Sequence, residues 1–105
     1  DGSPRYTALM NKDVDVVDAF STDGLLKKFG LTVLKDDKSF FPPYYAIPIM
    51  RSETLKKYPE IVPLLEKVGE KLTDEVMMDL NYQVDELQKE PEDVAREFLE
   101  KQGLI

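Results

Sequence analysis

Two short runs carry the residue types that could do chemistry: Phe20, Ser21, Thr22, Asp23, Gly24, and further on Phe40, Phe41, Pro42, Pro43, Tyr44, Tyr45. Proline holds φ near one value and pushes the residue before it into extended geometry, so a double proline among aromatics aims their rings in fixed directions at little further entropic cost. An electron-rich ring face held in place attracts a cation, and several such faces make the walls of a cage. Catalytic groups are scarce by comparison. The chain has 105 residues with no histidine and no cysteine, which removes the imidazole base, the thiol nucleophile and most zinc sites together. No hydroxyl nucleophile has a base beside it in sequence, so recognition is the better reading than catalysis.

The composition, 42% hydrophobic and 10% aromatic, is that of an ordinary globular chain near the common size of one domain. Its 14 basic and 21 acidic side chains give a net charge of -7. That balance repels phosphate backbones, so nucleic acid is not an expected partner. Asp85, Glu86, Glu90, Glu92 and Asp93 read as a solvated face and helix-start charges, since they lack calcium-loop spacing. Asp15 and Asp18 on an extended segment would face opposite sides and make no acid–base pair. No metal or cofactor is expected. No run reaches the roughly 18 apolar residues that would span a bilayer, and Asp1, Gly2, Ser3, Pro4 have no signal-peptide pattern. Any targeting segment would lie outside this chain.

The elements that must position the aromatics change character along the sequence. Ser3 and Pro4 predict a helix start, with Tyr6, Leu9 and Met10 on its apolar side and a break at 11–13. Residues 14–20 alternate in part and are β-branched, which predicts a strand ending at Phe20. Ser21, Thr22 or Asp23 would cap a short helix carrying Leu25, Leu26 and Phe29 and stopped at Gly30. Residues 31–34 read as a second strand, giving a strand–helix–strand unit of an α/β fold. Residues 45–50 look extended, with Pro48 at an edge or irregular position. Four helices are then predicted. Ser52 caps the first, which contains Leu55; Ile61, Leu64, Leu65 and Val68 mark the second; Thr73, Asp74 and Glu75 open the third over a stripe of Val76, Met77, Leu80 and Val84; Pro91 opens the last, with Val94, Ala95, Phe98 and Leu99 on one side, a stop at Gly103, and Leu104 and Ile105 covering an apolar gap. Few strands followed by several helices suggest parts of two lobes.

The stretch from Asp15 to Gly24, followed by Leu34 through Tyr44 with its Phe-Phe-Pro-Pro-Tyr motif, resembles the ligand-binding subunits of osmoprotectant ABC importers. The likeness continues through Leu55 to Glu60, Leu80-Asn81-Tyr82 and Val94 to Leu99. It implies a type II periplasmic-binding-protein fold, two α/β lobes closing on a ligand. This chain would be a C-terminal portion: residues 1–43 the end of the second lobe, and 44–105 the hinge crossing segment and C-terminal helices of the first.

The resemblance also implies a function. Such subunits are not enzymes; outside the cytoplasm, attached to the membrane as lipoproteins or fused to the permease, they deliver quaternary ammonium solutes (glycine betaine, choline or carnitine) to an ABC permease. Tyr44 falls at the position of one cage tyrosine. Phe20 stands where many relatives, reading Tyr-Ser-Thr-Asp-Gly, carry another; phenylalanine keeps the π face and loses the hydroxyl. Ser21, Thr22 and Asp23 complete the ligand-site set, either touching ligand or shaping the cleft through the helix they cap. Tyr45 is expected to be structural or at the rim, and Phe40 and Phe41 to lie in the core. The remainder of the subunit would be an obligatory partner, its absence inviting strand swapping. Two alternatives stand beside this reading: a related cationic amine such as ergothioneine as ligand, and a small acidic helical module that docks a protein.

Overall fold

Local signals place the helix ends. The computed structural model describes residues 3–105, and every regular element among them is an α-helix: α1 Ser3–Met10, α2 Gly24–Phe29, α3 Ser52–Lys57, α4 Ile61–Gly69, α5 Asp74–Asp85 and α6 Pro91–Lys101. Pro4 sits in the first turn of α1, where its missing N–H costs no bond, and the chain leaves that helix through Lys12 at φ 64°. Gly30 ends α2 in the left-handed region, φ 60° and ψ 38°, returning its N–H to the carbonyls of Leu26 and Lys27; that conformation suits glycine. The Thr73 hydroxyl caps α5 by accepting from the Val76 N–H at 3.3 Å, and Asp74 and Glu75 occupy its first turn. Pro91 opens α6, with Glu92 and Asp93 near its positive end and Lys101 near its negative one, the placement the helix dipole favours.

Packing is concentrated in one corner, where α5 is held between α2 and α6. Gly24 makes the first contact possible: a Cβ there would stand 2.8 Å from both the Cα and the N of Tyr82. The Asn81 amide donates to the Thr22 carbonyl at 2.8 Å. Lys27 pairs with Asp79 and Lys28 with Glu86 across the same seam, and the Lys27 ammonium lies 5.3 Å from the Tyr82 ring centroid. Tyr6, Leu26 and Val94 are the buried hydrophobic residues. The molecule is otherwise open. Its accessible surface is 8909 Å² at a mass of 12.1 kDa, against about 6,000 Å² for a compact monomer of that mass. Its radius of gyration of 17.0 Å exceeds the ~13 Å of a compact domain of this length.

Several expectations are corrected here. Residues 14–20, 31–34 and 45–50 are not strands; no strand occurs among the described residues. A strand exists only by hydrogen-bonding to a neighbour, and none lies alongside, so Val16, Leu34 and Ile49 stand open to solvent at 71%, 75% and 89%. The α/β architecture is therefore not realised within these residues. Phe40 and Phe41 are exposed rather than core and stack edge-on against each other at 5.1 Å. Ser52 is the first residue of α3, whose N-cap position is held by Arg51. The α5 stripe of Val76, Met77, Leu80 and Val84 is half-buried, and Ile105 is exposed. Asp1 and Gly2 lie outside the described residues.

Candidate ligand-binding site

The turn at residues 20–23 is built around one carboxylate. Asp23 occupies the N-cap position of α2, yet its side chain makes no capping bond there. Instead its Oδ2 accepts from the Tyr6 hydroxyl at 2.6 Å, from the Phe20 backbone N–H at 3.3 Å and, at 3.5 Å, from Arg5. A caprock of this kind ties α1 to the turn and fixes the backbone that carries Phe20. Burial first, and then the bond to Asp23, push the Tyr6 phenol up to about 12, since both disfavour a phenolate beside a carboxylate.

Arg5 completes the cluster. Its guanidinium donates to Asp18 Oδ2 at 3.2 Å and lies 5.6 Å from the Tyr6 ring centroid and 6.0 Å from that of Phe20. The Asp18 side chain is 87% exposed, so this acid is solvated, as its sequence position suggests, and also paired. Arg5, Tyr6, Phe20 and Asp23 line an open groove with Asp85 and Glu86 from the end of α5. Carboxylates outnumber the guanidinium along this wall, which favours a cationic occupant.

The second aromatic run reaches the same corner. The Tyr44 ring lies 6.2 Å from that of Phe20, tilted by 48°, within the range of interacting aromatic pairs. Tyr44 is 89% exposed and Phe20 57%, so both rings present faces outward. Tyr45 is exposed beside Tyr44. The start of the run is anchored by Asp36, whose two oxygens accept from the Phe40 and Phe41 N–H groups at 3.0 and 2.9 Å. Those amides, Phe40's first, hold the Asp36 carboxyl below its ordinary range. Ser39, at φ 51°, makes the bend that lets both amides reach one side chain.

Of the predicted set, Phe20, Tyr44 and Asp23 are thus brought together. Thr22 is half-buried, and its carbonyl is committed to Asn81. Ser21 is exposed in the turn. The cap expected from Ser21, Thr22 or Asp23 gives way because the Asp23 carboxylate has stronger partners in Tyr6 and Arg5. Arg5 was not singled out by the sequence, and Tyr6 was read only as an apolar helix position. No local pattern links them to a turn 13 to 18 residues away.

Comparison with known proteins agrees with this picture. The family described as the substrate binding domain of ABC-type glycine betaine transport system matches residues 3–101. A protein of Helicobacter pylori named ergothioneine transport permease/ergothioneine binding protein EgtU is 49% identical over 100 residues, covering 95% of this chain and 18% of that protein. The carnitine transport binding protein OpuCC of Listeria monocytogenes serotype 1/2a is 48% identical over 96 residues, covering 91% of this chain and 31% of that protein. A glycine-betaine-binding protein of Pseudomonas aeruginosa is 44% identical over 100 residues, 95% of this chain and 32% of that protein. The chain therefore spans a third or less of these relatives.

Proposed function

The chain belongs to the family of substrate-binding domains of ABC-type glycine betaine transport systems, and from that premise we propose that it supplies one wall of a quaternary ammonium site in a larger, two-lobed solute receptor. The family is one of binding domains, not enzymes. The observation that carries the reading is the pair of outward-facing rings, Phe20 and Tyr44, 6.2 Å apart beside a groove rich in carboxylates. The trimethylammonium head of a compatible solute suits such a surface: it is a permanent cation that offers no hydrogen-bond donor, so ring faces and diffuse negative potential are what can hold it.

In this reading residues 1–43 close the second lobe, and 44–105 provide the hinge crossing and C-terminal helices of the first, with the ligand gripped as the lobes close. The exposed residues of the crossing segment, Ile47 at 71% and Ile49 at 89%, and the coverage of a third or less of the relatives support a role within a larger body. The receptor works outside the cytoplasm, attached to the membrane or fused to the permease it serves; among the described residues no helix is long and apolar enough to cross a membrane. Solute delivery to that permease, powered by its ATPase, is the proposed activity.

Ring contacts with a desolvated cation contribute about 2 kcal/mol each, whereas micromolar affinity needs roughly 8 kcal/mol. Two rings do not suffice, so the remainder of the site comes from the rest of the receptor. The test is calorimetry on the full-length subunit: Tyr44→Ala should weaken glycine betaine binding about ten-fold or more, with Tyr45→Ala close to wild type. Equal affinity of wild type and the Tyr44 variant would remove Tyr44 from the site. The relative named for ergothioneine and the phenylalanine at position 20 favour one second reading, in which the onium head belongs to ergothioneine; a thermal-shift screen with glycine betaine, choline, carnitine and ergothioneine separates the two.

A further inference from the structure

The Arg5 guanidinium stands out against the rest of the groove, because it places a cation beside the ring that is to receive one. Part of its N–H fork is used by Asp18 and Asp23; its Nε–H is buried with no hydrogen-bond partner. A buried donor without an acceptor is costly, and guanidinium groups are suited to holding carboxylates through parallel N–H bonds. The same group lies 6.0 Å from the centroid of Phe20, whose ring is 6.2 Å from Tyr44. An anion-binding fork and a cation-binding ring pair therefore stand side by side.

We propose, resting on the quaternary ammonium reading above, that Arg5 binds the carboxylate of a zwitterionic ligand whose onium head sits at Phe20 and Tyr44, and so makes the site select betaine-type zwitterions over cations that lack a carboxylate. A short zwitterion has its opposite charges a few carbons apart and can satisfy both elements at once. A simple cation meets only the rings and is repelled by the guanidinium. Asp18 and Asp23 temper that repulsion and hold the fork in place, and they also compete with the ligand carboxylate for its N–H groups. Asp18, the more exposed of the two, is the one that can yield.

The experiment is calorimetry on the full-length subunit with glycine betaine, carnitine and choline, comparing wild type, Arg5→Gln and Asp18→Asn. Arg5→Gln is expected to weaken both carboxylate-bearing ligands by about ten-fold or more, the scale of a hydrogen bond to a charged group, while choline binds as well as before or better. Retained choline binding shows that the variant is folded. An unchanged ratio of glycine betaine to choline affinity in a folded Arg5→Gln protein overturns the proposal, as does a wild type that prefers choline. If Arg5→Gln does not fold, Asp18→Asn decides: a ratio that rises supports the role of Arg5, and one that stays put overturns it. A wild-type protein that binds none of the three overturns the quaternary ammonium reading itself, before any Arg5 variant is measured.

Discussion

Gly24→Ala is the substitution that most directly tests how the turn at 20–23 is held. The added Cβ would stand 2.8 Å from the Cα and N of Tyr82 and 3.2 Å from the carbonyl carbon of Asn81. All three are backbone atoms of α5 and cannot rotate away. Restoring ordinary van der Waals separation requires α2 and α5 to part by several tenths of an ångström, which strains the 2.8 Å bond from Asn81 to the Thr22 carbonyl and the Lys27–Asp79 and Lys28–Glu86 pairs across the seam. Overpacking of this sort costs about 1–3 kcal/mol; alanine's helix preference returns up to about 1 kcal/mol, leaving a net loss of about 1–2 kcal/mol. Urea denaturation of the full-length subunit measures it, with Gly69→Ala as the control: that glycine closes α4 with open space around its Cβ position, so alanine there should be neutral or slightly stabilising. The turn that carries Phe20 should shift with α2, so Gly24→Ala should also weaken ligand binding. Stability equal to or above wild type for Gly24→Ala would refute the close-approach argument.

Two further substitutions probe the groups that fix the aromatic runs. In the folded chain the Tyr6 phenol is raised to about 12 from an unfolded value near ~10, so its contribution is complete below pH ~10 and is lost as pH rises toward 12; Tyr6→Phe should be less stable at pH 8 and should lose the alkaline decline between those limits, which urea titrations at several pH values will show or exclude. Asp36 has its carboxyl lowered by the Phe40 and Phe41 amides, so the anchor holds above pH ~4 and fails as pH falls through the depressed value. Asp36→Asn should release both amides at all pH values, read as faster hydrogen exchange at Phe40 and Phe41 than in wild type. Unchanged exchange would mean that the prolines alone fix the run.

Helix ends were legible because their causes are local. Thr73 with Asp74 and Glu75, Pro91, and Gly30 each act within a turn of where they stand, and each does what its residue type dictates. The predicted strands failed for the opposite reason. Alternation at 14–20 and β-branching at 31–34 record a preference for a half-covered pleated surface, and that preference becomes a strand only when another strand supplies the ladder. The segment that would do so does not lie beside them among the described residues. Family resemblance pointed to Phe20, Tyr44 and Asp23, whereas the Arg5 and Tyr6 contacts that organise the turn cross 13 to 18 residues and leave no periodic trace.

The same distinction explains α4. Ile61, Leu64, Leu65 and Val68 repeat at helical spacing as clearly as the apolar positions of α5 do, yet α4 buries no residue, and Leu64 remains 57% exposed. Amphipathic spacing specifies which face of a helix is to be covered; it does not specify what covers it. Phe20 and Tyr44 raise the same ambiguity, since an exposed aromatic awaits either packing or a ligand. What separates the two cases is the surroundings. The apolar face of α4 is a continuous hydrocarbon stripe, suited to another apolar surface, whereas the rings stand beside Asp23, Asp85 and Glu86 and a guanidinium with an unpartnered donor. Charges of both signs next to π faces are a poor base for a hydrophobic seam, because each would have to be stripped of water on closure. They suit a small ligand that carries matching charges of its own, and that is the physical ground for assigning this corner to solute and the α4 face to protein packing.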